Sequence, residues 1–144
     1  MPTSLYDSDF YAWANEQAAL LREGRATDAD LALIADEIES MGKTEKRELI
    51  SRLTVLFLHL LKWRHQPQLR GNSWRLSIAN ARDEIADVLA DNPSLRPHLG
   101  EVTATAYKYA RRKAAVETES DVEAFPAACP WDFATALDED FWPA

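Results

Sequence analysis

The sequence predicts an all-α fold: an up-and-down bundle of about five helices with an ordered aromatic strap at its C-terminal end, in a single helical domain over residues 1–144. Three observations carry this reading. Apolar residues recur at helical spacing over long stretches, and nothing alternates with the two-residue period of a strand. Six of the seven prolines, at 67, 93, 97, 126, 130 and 143, fall outside the periodic stretches. No internal repeat, low-complexity tract or Gly-rich phosphate loop interrupts the pattern.

In the first helix, about 8–23, Phe10, Trp13, Ala14, Gln17, Leu20 and Leu21 repeat at helical spacing behind the capping candidates Asp7 and Ser8, and Gly24 is the stop. The second starts behind Thr27 or Asp28, carries Leu31, Ile34, Ile38 and Met41 on one face and Asp36, Glu37 and Glu39 on the other, and is expected to end at Gly42. The third, about 45–65, has the widest apolar arc: Leu49, Leu53, Leu56, Leu60 and Trp63, broadened by Ile50, Phe57 and Leu61. So wide an arc marks a central helix touched from two sides. Pro67 closes it.

Asn72 or Ser73 caps the fourth helix, whose Trp74, Ile78, Ala81, Ile85, Val88 and Leu89 share a face up to Asp91, Asn92 and Pro93. The fifth is expected from near Ser94 to about Glu119, with Pro97 in its first turn. Its small residues Ala106, Ala110 and Ala114 let a neighbouring helix approach closely. The last segment holds Phe125, Trp131, Phe133, Phe141 and Trp142, too many aromatics for a disordered tail. One short helix near 132–138 is expected in it.

A chain of 144 residues can bury a continuous core without disulfide or metal support. Its one cysteine, Cys129, has no internal partner. The opening MPTSLYDSDF has neither a basic nor an apolar leader region, so the expected location is cytoplasmic. The longest apolar stretch, Val55 to Leu61, is broken by His59 and falls far short of the roughly 20 residues of a bilayer span, so no membrane partner is expected. With a pI near 4.8, long duplex DNA is not the expected partner either.

Within this acidic chain, one segment reverses sign. Lys43, Lys46, Arg47, Arg52, Lys62, Arg64, Arg70, Arg75 and Arg82 stand against only Glu45 and Glu48, while the total charge is −8. The segment is therefore basic, internal and counterbalanced.

The succession LYDSDFYAWANEQAALLREG, LIADEIESMGKTEKRELISRL, HLLKWRHQP, SWRLSIANAR, NPSLRPHL, FPAACPW and LDEDFWP resembles one bacterial family, the domain-of-unknown-function family numbered twenty-nine, over about residues 5–143. The resemblance implies a small all-helical bacterial protein. It supplies no catalytic residue, cofactor or substrate, so chemistry has to come from the residues themselves.

Arg52 and His59, seven residues apart and about 20° apart on a helical wheel, border the apolar stripe beside Trp63. Their spacing resembles the motif of small helical ribonucleases of the higher-eukaryote-and-prokaryote nucleotide-binding superfamily, in which a His moves the 2′-hydroxyl proton and an Arg stabilises the developing phosphorane charge. The competing reading is a helix-border His bonded to a neighbouring side chain. Glu37 and Glu117 are the carboxylates nearest to apolar faces, with Arg82, Arg111 and Lys62 as expected partners. No Glu precedes His59, His65 or His98 by three, so a carboxylate-bridged metal is not expected, nor is any other cofactor. Cys129 lacks a CxxC partner and reads as a packed thiol.

Lys62, Arg64, Arg70 and Arg75 bracket the loop between the third and fourth helices together with Trp63 and Trp74, and are the expected partner-binding residues. Their competing role is salt bridging around core tryptophans. Taken together, the sequence predicts a noncatalytic protein-interaction or regulatory module that meets an acidic protein partner or a second copy of itself. The alternative is a nucleic-acid-binding or RNA-cleaving domain centred on Arg52, His59 and residues 62–75.

Overall fold

A computed structural model describes residues 4–144; residues 1–3, where the reading of the amino terminus began, lie outside it. The chain is all-α, with no strand among the described residues. It divides into two compact units, Met1–Lys43 and Thr44–Ala144.

The first unit begins with a four-residue helix, α1 (Leu5–Ser8), and continues in α2 (Phe10–Arg22), each capped by the side chain before it: Ser4 and Asp9 accept from the amides of Asp7 and Ala12. The expected helix of about 8–23 thus starts at Phe10 behind Asp9, not behind Asp7 or Ser8, and the short α1 precedes it. Gly24, at φ 74°, ends α2 in the left-handed conformation. The Arg25 amide returns to the Leu20 carbonyl and the Gly24 amide to Leu21, the paired bonds of a Schellman motif. Trp13 and Gln17 are buried and both clamp Asp30: Trp13 Nε1 donates to its carboxylate at 2.9 Å, and the Asp30 amide donates to Gln17 Oε1 at 2.7 Å. Tyr6, Phe10 and Trp13 pack edge to face and tilted, and the Tyr6 hydroxyl donates to Glu37. Glu37 thus answers to a phenol, not to one of the expected cations. Leu31, Ile38 and Met41, expected on an inward stripe, stay 53%, 64% and 69% exposed.

Gly42 does not stop the second helix. The expected second and third helices are one 35-residue helix, α3 (Leu31–His65). Gly42 keeps a negative φ, unlike Gly24, and a lone glycine costs a helix only about 1 kcal/mol. Glu39 and Lys43 pair across it at 3.5 Å, one helical turn apart.

In the second unit the C-terminal part of α3 packs antiparallel to α4 (Asn72–Asp91), with Glu45 near Asn92 and Arg52 near Glu84, and parallel to α5 (Leu99–Glu117), with Lys46 near Glu101 and Lys62 near Glu117. Leu49, Leu53, Leu56, Phe57 and Leu60 are fully buried, against Ile78, Ala81 and Ile85 of α4 and Val102, Ala106, Ala110 and Ala114 of α5. The alanine stripe keeps α5 close to the core. α5 starts five residues later than expected: Pro93 to His98 form a 3-10 turn, because each proline removes a backbone donor and restricts the residue before it.

The strap is ordered, and its short helix is α6 (Phe133–Leu137), capped by Asp132, which accepts from the Thr135 amide at 2.7 Å. Phe125, Ala136 and Pro143 are buried, Trp131 stacks on Phe57, and Trp142 packs on Trp63 at 4.6 Å. Arg82 fixes this segment. Buried at 4% exposure, its guanidinium donates to the carbonyls of Ala136 and Phe141, each at 2.8 Å, and lies over the Trp142 ring. Burial lowers its pKa, while Asp138 and Glu139 act the other way.

Candidate functional site

The basic segment singled out by the sequence is largely committed to the fold. Arg70 Nε donates to the Trp63 carbonyl at 2.7 Å, and its guanidinium stacks on the Trp63 ring at 5.0 Å. Arg75 lies over the same ring at 5.4 Å and donates to Asn72. Lys62 sits over Trp74 and reaches Glu117 at 3.4 Å. Trp63 is buried and Trp74 half-buried against the core, so both tryptophans are packing residues.

Arg52 is also engaged. It lies 2.9 Å from Glu48 on its own helix and 3.1 Å from Glu84 on α4. His59 is half-buried, and its Nδ1–H donates to the Val55 carbonyl one turn back, at 2.8 Å. An open cleft of about 490 Å³ is lined by Arg52 together with Glu48, Tyr109, Arg112 and Lys113, and His59 is not part of its wall.

Arg64 is the exception among the four. It is exposed and has no ion pair or hydrogen bond among the described residues. Together with His65 and Arg111 it lines a cleft of about 630 Å³, floored by Leu61, Phe125 and Pro126, with Glu123 in its wall. A neighbouring cleft of about 750 Å³ shares Arg111 and adds Lys108, Arg112, Thr103, Cys129 and Trp131. Arg112 in turn joins this cleft to the one beside Arg52. Three clefts therefore follow one another along α5, and their walls hold Arg52, Arg64, Lys108, Arg111, Arg112 and Lys113 against Glu48 and Glu123. Of the four α5 cations, none has a carboxylate partner among the described residues.

Two contacts stiffen this surface. The Tyr107 hydroxyl donates to the Pro126 carbonyl, and Arg111 Nε donates to the Phe125 carbonyl at 3.2 Å. Burial pushes the Tyr107 phenol up to about 12, Cys129 adds to the rise, and the positive charges of Arg111 and Arg64 oppose it. His65 meets Ser120 Oγ at 3.1 Å through Nε2 and packs its ring on Phe125 at 4.8 Å. The Cys129 thiol donates to the Trp131 carbonyl, and burial raises its pKa, so its reactive thiolate form is disfavoured. Thr103 Oγ1 is buried without a hydrogen-bond partner among the described residues.

The run from Lys108 to Lys113 had a legible signal. Lys108, Arg111 and Arg112 have no acid three or four positions away, whereas Lys43 has Glu39 and Arg52 has Glu48. Among the described residues no three His, Cys, Asp or Glu side chains gather as metal ligands, and no helix is long and apolar enough to cross a membrane.

The chain belongs to the family described as domain of unknown function DUF29, whose model matches residues 5–142. No curated protein and no solved structure matches it.

Proposed function

We propose that the chain is a noncatalytic interaction module that receives an acidic protein surface along α5. One observation carries the reading: Lys108, Arg111, Arg112 and Lys113 line consecutive clefts, and none of them is ion-paired with a carboxylate among the described residues. Like charges held together on a fold of net charge −8 repel one another, and an acidic partner relieves that repulsion while gaining orientation from it. Aromatic Tyr109 and Trp131 in the same clefts offer the apolar contact area that ion pairs alone lack. Support for the RNA-cleaving alternative is weaker. A phosphate would have to displace Glu48 and Glu84 from Arg52, and His59 has already given one ring nitrogen to its own helix.

The test is affinity capture from host lysate, with and without nuclease, comparing the native chain with an Arg111→Glu, Arg112→Glu, Lys113→Glu variant. The expected result is a nuclease-resistant protein partner lost in the variant, with light scattering of the purified chain showing whether that partner is a second copy. RNA enriched on the native chain and lost on Arg52→Ala or Arg70→Ala would replace this proposal with the nucleic-acid one.

A further inference from the structure

The cleft between the end of α3 and the segment 123–127 brings together arginines from two helices, Arg64 of α3 and Arg111 of α5, neither of which is in a carboxylate bond among the described residues. Arg64 touches no acceptor at all among the described residues. Arg111 spends Nε on the Phe125 carbonyl, which fixes the plane of its guanidinium and leaves both terminal nitrogens without a hydrogen-bond partner among the described residues. Glu123 shares the wall but pairs with neither. Leu61, Phe125 and Pro126 add apolar contact area beside the two guanidinium groups in this open cleft.

We propose that this cleft is a binding site for a phosphomonoester, with Arg64 and Arg111 as its two anion-holding residues. Two guanidinium forks match a dianion in charge and in their planar donor geometry, and arginine is the side chain suited to such paired recognition of phosphate oxygens. The space, about 630 Å³, is that of a small-molecule site rather than of a bare ion, so it has room for the organic group that carries the phosphate. His65, held by Ser120 and stacked on Phe125, forms a firm side wall. The proposal rests on reading the α5 clefts as a binding surface, and it adds the ligand class. A phosphorylated side chain on a partner and a free phosphorylated metabolite share this chemistry.

The experiment is calorimetric titration of the full chain at low salt with O-phosphoserine, inorganic phosphate, and unphosphorylated serine. Saturable one-to-one binding of O-phosphoserine is expected, with none for serine. Arg64→Gln should weaken it at least ~10-fold, the loss of one charge-assisted pair at about 1.4 kcal/mol or more, and circular dichroism of that variant should match the native chain because Arg64 makes no hydrogen bond or ion pair among the described residues. Arg47→Gln, an exposed arginine lining none of these clefts, should leave binding unchanged. Tighter binding of a phosphoserine peptide than of O-phosphoserine assigns the site to a modified protein; equal or weaker binding assigns it to a free metabolite. Absence of saturation, or equal weakening by Arg47→Gln and Arg64→Gln, overturns the proposal. Capture of an acidic partner that survives Arg64→Gln would leave the interaction module standing even then.

Discussion

Most cations between residues 62 and 82 and most of those on α5 have the same chemistry and opposite employment, with Arg64 and Arg111 as the two that cross over. Lys62, Arg70, Arg75 and Arg82 bond backbone carbonyls, an amide, a carboxylate or tryptophan rings. Lys108, Arg112 and Lys113 bond nothing among the described residues. A basic count along the sequence cannot separate these cases, because an arginine beside tryptophans and a chain reversal is as useful to folding as to binding. The difference teaches that a functional patch is sought among the cations the fold has left over.

Arg82 offers the strongest way to break this comparison. Replacing it with the similarly long Met keeps most of the packing but leaves the Ala136 and Phe141 carbonyls without their charged donor. The expected loss is about 3 kcal/mol, read from chemical denaturation midpoints, with proteolysis beginning in the strap. A loss below about 1 kcal/mol would mean that Phe125, Ala136 and Pro143 hold the strap by burial alone, and that Arg82 belongs with the idle cations.

The fold was legible wherever local chemistry decides it. Pro67 and the short helix near 132–138 act through neighbours a few residues away. The alanine stripe of α5 and the aromatic strap, whose contacts on α3 are long-range, show in the sequence as dense runs of one residue type. Gly42 was misleading because a glycine ends a helix only when the chain beyond it turns into the left-handed region; Gly24 does so and Gly42 does not. The site was less legible for a different reason. Summed over residues 83–144, acids outnumber bases, so the cationic run on α5 vanishes into the average. Arg64 comes from another helix, and only tertiary packing brings it to the cleft with Arg111.

Tyr107 sharpens the comparison from within α5, since it and Arg111 hold the strap by hydrogen bonds while Lys108, Arg112 and Lys113 do not. The buried phenol donates to the Pro126 carbonyl, and its pKa stands at about 12 against an ordinary 10.0. With the folded value above the unfolded one, the folded state retains the proton longer. The stabilisation is therefore complete below pH 10.0 and fades as pH rises toward about 12. Tyr107→Phe should cost about 1 kcal/mol at neutral pH, where the hydrogen bond is lost. The gap between native and variant, followed by urea midpoints, should close across the alkaline window. A constant gap would show that the hydroxyl proton is not what the folded state protects.

The smallest expected effect is the most telling about the idle cations. Lys108 and Arg112 stand one helical turn apart with no acid between them, a like-charge pair of the kind that destabilises a helix by about 0.2–0.5 kcal/mol. Lys108→Gln with Arg112→Gln should leave the thermal midpoint unchanged or raise it slightly. Added salt, which screens repulsion in the native chain, should narrow the gap. Cations that add nothing to the fold are left available to an acidic partner. If the double variant instead lost more than about 1 kcal/mol, these cations would be holding the fold like Arg82, and the case for an acidic partner along α5 would lose its foundation.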